Sequence, residues 1–270
     1  MPVLAVAGGV VSYEDYGSGP VVLLIHGSPG NSKVWARVGE HLSGRCRVIA
    51  PDLPGYGKTT PQASNAVPDN AHAAALLEGL IEVVGVPAVL AGHSYGASVA
   101  LAVALRGKVS PGALVFFETV ALRILPLAGE TRAYESAKAV FDDYIASFEG
   151  GNDRAFQTII DFWFGPGAFN AMPESVQAYL LKETRSNIHD VQATFREEYT
   201  VAGLSRLLMP VLAVYGSRSP EVTRKMAQAF ARQTPKGAAF CLEKANHALH
   251  TTHAEAVARI IGDLATGSGG

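Results

Sequence analysis

Gly92-His93-Ser94-Tyr95-Gly96 sets a serine between two glycines, after the short apolar run Ala88-Val89-Leu90-Ala91 and before a stretch of small helix-forming residues. A serine hydroxyl that attacks a carbonyl must project beyond the end of a strand, where substrate can reach it. A sharp strand-to-helix turn achieves this, with strained backbone at the serine itself. Side chains at Gly92 and Gly96 would crowd such a turn. Ala97 and Ser98 let the helix approach closely, and its amino terminus favours developing negative charge. The bare motif arises by chance. Its setting between strand and helix makes Ser94 the candidate nucleophile.

Attack at a carbonyl also needs about two N–H donors aimed at the oxygen of the tetrahedral intermediate, and losing one costs roughly 10²–10³ in rate. The residue after the nucleophile, Tyr95, supplies one such amide in this arrangement. An earlier buried run, Val21-Val22-Leu23-Leu24-Ile25, ends in His26-Gly27-Ser28-Pro29-Gly30, and Ser28 is the candidate for the second. His26 is read as ordering this loop rather than as an acid or base.

These segments, together with Asp52-Leu53-Pro54-Gly55-Tyr56-Gly57, resemble the α/β-hydrolase superfamily over nearly the whole chain. The resemblance implies a base and an acid. The base is His247, in Ala245-Asn246-His247-Ala248, a few residues after the run Ala238–Leu242 and before the final helix. His250 and His253 follow it at i+3 and i+6, but no carboxylate or cysteine pattern completes a metal site, and both are read as lining the start of that helix. The family's usual acid lies in G-x-x-D after the strand Val211–Tyr215; here Gly216-Ser217-Arg218-Ser219 puts serine in its place. Two carboxylates are available instead. Glu118, in Phe117-Glu118-Thr119 one strand after the nucleophile, matches the position from which certain haloalkane dehalogenases supply their acid. Glu221 follows Ser219-Pro220, where it opens a helix. Glu118 is the preferred candidate. Ser94, His247 and Glu118 thus form the expected catalytic set, with no metal and no cofactor.

The elements that must position these residues show in the hydrophobic pattern. Val10–Tyr16, Val21–Ile25, Cys46–Ala50, Ala88–Ala91 and Gly112–Phe117 read as strands, with helical stretches at Ser32–Leu42, Asn65–Val84 and Tyr95–Leu105 between them. Asp69 or Asn70 is a candidate cap within the second helix. From about Val120 to Gly203 the strand signal stops, and helices are expected over Arg132–Phe148, Asp153–Phe164, Ser175–Glu183 and Val191–Glu198. Strand and helix patterns then return at Val211–Tyr215, Glu221–Gln233, Ala238–Leu242 and Ala254–Leu264. The expectation is an α/β-hydrolase fold: a mostly parallel eight-stranded sheet flanked by helices, its core formed by residues 1–119 and 204–270, with a helical cap over 120–203. Within the cap, Phe162, Trp163 and Phe164 are read first as cap core.

Composition bounds the rest. A chain of 270 residues, 48% hydrophobic and 17% charged, can build a large core and is not a disordered one. A net charge of −2 without a basic block argues against nucleic acid. Cys46 and Cys241 read as reduced structural thiols. No apolar run approaches a membrane span, and the first nine residues lack a leader pattern, so a cytoplasmic location without membrane association is expected. Gly267-Ser268-Gly269-Gly270 reads as a flexible tail. Gly57-Lys58-Thr59 is not a phosphate loop, because Asp52 stands where its first glycine belongs, and Gly17-Ser18-Gly19 lacks the third glycine of a dinucleotide fingerprint.

Together these readings give a serine hydrolase acting on a small or medium, partly apolar carboxylic ester, a small-molecule substrate, through an acyl-enzyme. Carbon–carbon bond hydrolysis or lactone hydrolysis on the same residues remain open at this stage. So do a hydroxynitrile lyase and a ligand-binding protein with little or no turnover.

Overall fold

A computed structural model describes residues 1–63 and 66–267. The chain begins with β1 (Val3–Val6), β2 (Gly9–Gly17) and β3 (Val21–Ile25), then a 3-10 turn at Ser32–Trp35, α1 (Ala36–Leu42), β4 (Arg47–Pro51) and α2 (Ala71–Val84). It continues through β5 (Val89–His93), α3 (Tyr95–Arg106) and β6 (Ala113–Phe117). Helices α4 (Ile124–Leu127), α5 (Thr131–Glu149), α6 (Phe156–Phe164), α7 (Ala168–Ala171), α8 (Glu174–Lys182), α9 (Thr184–Arg196) and α10 (Val201–Leu204) follow without an intervening strand. The chain closes with β7 (Val211–Gly216), α11 (Glu221–Gln233), β8 (Gly237–Leu242), α12 (Leu249–Thr252) and α13 (Ala254–Thr266).

The eight strands form one sheet in the order β1-β2-β4-β3-β5-β6-β7-β8. β1 and β2 pair antiparallel, as do β2 and β4, and every pairing from β4 to β8 is parallel. The continuous apolar runs are explained by burial on both faces. In β3, Leu23 and Ile25 face the core beneath α2, α3 and α11, while Val22 and Leu24 face the core beneath α1 and α13. In β6, Leu114 and Phe116 take the first side and Val115 and Phe117 the second. Parallel pairing then brings the carboxyl ends of β3, β5, β6 and β7 to one edge, where this architecture places its ligands.

Several boundaries differ from the sequence expectation. α2 starts at Ala71, whose amide is bonded by the Asp69 side chain at 2.9 Å, so Asp69 provides the side-chain bond at this end. The expected start of that helix at Asn65 lies outside the described residues, as do the last three residues of the Gly267–Gly270 tail. β1 is an added strand with alternate half-exposed residues. α9 begins at Thr184 rather than Val191. Its first two turns are mostly polar and so carry little apolar periodicity, yet Asn187 and Asp190 within them are buried. Among the described residues, no helix is long and apolar enough to cross a membrane, and no cluster of His, Cys, Asp or Glu has the makings of a metal site.

Candidate active site

Ser94 caps the amino end of α3 with φ 53° and ψ −121°, a left-handed backbone that non-glycine residues seldom adopt. The turn is held open by absent side chains. A Cβ on Gly92 would strike the Gly96 carbonyl, and one on Gly96 would strike the carbonyls of Ile25 and His26. The Ser94 amide donates to the Phe117 carbonyl at 2.9 Å, which locks the turn to the end of β6. Ser94 is buried but for 8% of its surface.

Its Oγ lies 3.1 Å from His247 Nε2, and His247 Nδ1 lies 3.2 Å from Glu118 Oε2. Hydroxyl, imidazole and carboxylate are therefore hydrogen-bonded in series. A carboxylate only accepts, so Nδ1 carries the proton and Nε2 is free to accept from the serine. Glu118 is fully buried at the end of β6, with φ 50°. Its other oxygen, Oε1, accepts from the Gly216 amide at 2.5 Å and from the Ser219 hydroxyl at 2.7 Å. Glu221, the alternative acid, sits exposed at the start of α11 and pairs with Arg224 at 2.9 Å. The geometry thus joins Glu118, not Glu221, to His247.

The His26–Gly30 loop passes directly over the nucleophile: a Cβ on Gly27 would lie 2.9 Å from His93 Nδ1 and 3.1 Å from Ser94 Cβ. His26 holds this loop. Its Nε2 accepts from the Leu53 amide at 2.9 Å, which leaves Nδ1 to donate to the Gly27 carbonyl at 2.7 Å. Burial lowers its pKa to about 4 and so keeps the ring neutral. The Asp52–Gly57 segment braces the same loop, since Asp52 accepts from the Ser32 amide at 2.7 Å and Tyr56 bonds Ser28 Oγ at 3.0 Å. Tyr95, as the first residue of α3, has no helical carbonyl for its own N–H.

A cavity of about 190 Å³ opens above Ser94. Its floor is Ser28, Ser94, Tyr95 and His247, and its walls include Phe156, Ile159, Ile160 and Leu180 from the helices between β6 and β7. Trp163 packs into the apolar core, in keeping with its first reading, and also reaches His247. Its ring stacks on the His247 imidazole, centroids 4.2 Å apart and planes 11° from parallel, and it lines the cavity together with Phe164. Helical periodicity shows that Trp163 is buried but not what covers it. His250 also lines the cavity, packed between Trp35 and His93, and burial lowers its pKa to about 3. His93 donates from Nε2 to the His247 carbonyl at 2.7 Å and is likewise held neutral by burial.

Two buried polar residues on α9 carry no sequence signal of their own. Asn187 and Asp190 both line the cavity. Asp190 accepts from the Tyr56 hydroxyl at 2.8 Å, and burial raises its pKa to about 7.

The family model described as the alpha/beta hydrolase family matches residues 22–260. The (E)-2-((N-methylformamido)methylene)succinate hydrolase of Acinetobacter baylyi is 26% identical over 253 residues, 91% of this chain and 90% of that protein. The pimeloyl-[acyl-carrier protein] methyl ester esterase of Vibrio cholerae is 28% identical, over 94% of this chain and 97% of that one. Among solved structures, an esterase from Exiguobacterium antarcticum superposes with a TM-score of 0.75 at 19% identity, covering 98% of each chain, and shares the fold.

Proposed function

The chain belongs to the alpha/beta hydrolase family, and on that premise we propose that it is a serine-dependent carboxylic ester hydrolase. The observation that carries the proposal is the series Ser94–His247–Glu118, joined at 3.1 Å and 3.2 Å, whose serine and histidine lie at the floor of a largely apolar cavity. His247 Nε2 takes the proton from Ser94 Oγ as that oxygen bonds to the ester carbonyl carbon. The amides of Ser28 and Tyr95 hold the resulting oxyanion. The imidazolium, paired with Glu118, gives its proton to the departing alkoxide, which leaves as the alcohol. Water then attacks the acyl-enzyme by the same route and releases the carboxylic acid and free Ser94.

Residues 120–203 act as a cap in this reading, since α6, α8 and α9 roof the cavity. The substrate's buried part is uncharged. The Acinetobacter relative bears succinate in the name of its substrate. Of the described residues lining the present cavity, none is Lys or Arg, so a carboxylate there would meet no cation.

Reaction with a fluorophosphonate, read as intact mass, tests the proposal. One adduct per chain on wild type, lost in Ser94→Ala, is the expected result, with turnover of short-chain p-nitrophenyl esters. A folded wild type that takes no adduct and cleaves no ester overturns it and shifts weight to a binding protein on this fold.

A further inference from the structure

We propose that Asn187 and Asp190 of α9 are positioning residues that clamp the oxyanion loop against the nucleophile by fixing Ser28. The inference rests on the role assigned above to the Ser28 amide.

The two residues are three apart on one helix, so they share a face. Asn187 Nδ2 donates to the Ser28 carbonyl and to Ser28 Oγ, both at 3.0 Å. A backbone carbonyl only accepts, which fixes which way the Asn187 amide points. Its Oδ1 then accepts from the buried Tyr144 hydroxyl at 3.0 Å. On the other side, Tyr56 donates to Asp190 Oδ2 at 2.8 Å and lies 3.0 Å from Ser28 Oγ. With its O–H directed at Asp190, the Tyr56 oxygen is left to accept from Ser28. One directed chain results: Tyr144 to Asn187 to Ser28 to Tyr56 to Asp190.

Ser28 is thus gripped at both carbonyl and hydroxyl by groups anchored outside its own loop. His26 secures the loop from beneath through the Leu53 amide, and α9 secures it from above. Sub-ångström placement of an oxyanion donor matters, because misplacing a reacting geometry by about 1 Å costs on the order of 10² in rate. An apolar residue in place of Asp190 would complete the cavity wall without desolvating a carboxyl. The carboxyl does what such a residue does not: it orients the Tyr56 hydroxyl.

The test compares Asp190→Leu, Asp190→Asn and Asn187→Leu with wild type on one p-nitrophenyl ester, alongside inhibition by a trifluoromethyl ketone, which forms a tetrahedral adduct on the nucleophile. Expected for both leucine variants are a kcat lower by about 10- to 100-fold, a KM within about three-fold, and inhibitor affinity weakened in step with kcat/KM. Asp190→Asn, which keeps an acceptor for Tyr56, stays within about three-fold of wild type. If Asp190→Leu does not fold, Tyr56→Phe removes the bridging hydroxyl alone and carries the same expectation. Wild-type kcat in the leucine variants overturns the inference. So does a loss expressed only in KM, or an Asn variant as damaged as the Leu variant. An active wild type with unaffected variants removes this inference alone, whereas an inert wild type removes the reading of the site and the inference with it.

Discussion

Ser219 donates its hydroxyl to Glu118 at 2.7 Å, across from the oxygen that faces His247. Ser219 follows β7, and the carboxylate that reaches His247 projects from the end of the neighbouring strand β6. One oxygen of Glu118 is held by Ser219 and the Gly216 amide, and the other is left to the imidazole. The bond makes Ser219 the holder of the carboxylate, not a gap in the site.

Glu118→Gln keeps the shape and removes the charge. By analogy with an aspartate-to-asparagine change in a serine protease triad, kcat should fall by roughly 10³- to 10⁴-fold. Ser219→Ala removes one neutral donor to the carboxylate and should cost about ten-fold or less, while exposed Glu221→Gln should leave kcat unchanged. Steady-state kinetics on one ester checks all three. A damaging Glu221→Gln beside a tolerated Glu118→Gln would reverse the assignment.

Trp163 stacked on His247 ties the roof of the cavity to the base. Trp163→Ala should lower stability by about 3–5 kcal/mol, as large-to-small changes of buried aromatics do, and kcat by about ten-fold as the imidazole loses its stacked neighbour. Trp163→Phe should keep most of both. Thermal melts and kcat measured on the same preparations check this, and wild-type kcat in Trp163→Ala would show that the stack does not hold the base.

Legibility in the sequence follows how local the constraint is. Ser94 is visible because its turn dictates glycines two residues either side. Glu118 shows only as a carboxylate at a strand end, and its link to Ser219 spans 101 residues. Asn187 and Asp190 were hidden for the opposite reason: they are polar residues buried by contacts with Ser28 and Tyr56, so they broke the apolar pattern that would have marked their helix. The major strands were legible because burial on both faces makes them continuously apolar, while β1, four residues long with one side exposed, lacks that signature.

The buried histidines should make the fold acid-sensitive. His26 and His250 have pKa values lowered by burial to about 4 and about 3, against 6.5 in the unfolded chain. Below pH 6.5 these rings therefore bind more protons in the unfolded state and pull stability down until they protonate in the native state, with a limiting slope of about 1.4 kcal/mol per pH unit for each ring. Asp190, with its pKa raised to about 7, opposes the fall by the equivalent of one proton, so the histidines outweigh it. Urea midpoints at pH 7.5, 6 and 5 should drop in that order. His250→Phe keeps an aromatic ring between Trp35 and His93 but takes up no proton, so its midpoints should fall less steeply. An unchanged slope would mean that His250 is not buried as a neutral ring.

Charge discrimination tests the reading of the cavity itself. Its walls include Phe156, Ile159, Ile160 and Leu180, and the carboxyl among its lining residues, Asp190, brings no positive charge in either protonation state. A substrate carboxylate would be stripped of water with no cation to meet it, a cost of several kcal/mol for a buried unpaired charge. p-Nitrophenyl butyrate and p-nitrophenyl hemisuccinate offer the same leaving group and acyl chains of similar length, one ending in methyl and the other in carboxylate. The neutral ester should have a kcat/KM at least about 100-fold higher, equivalent to about 2.7 kcal/mol in transition-state binding. Because binding of the acyl chain is what differs, the hemisuccinate should lose chiefly through KM. Comparable turnover of the two would mean that the carboxylate stays in solvent outside the cavity, and that the helices over Ser94 do not enclose the acyl group.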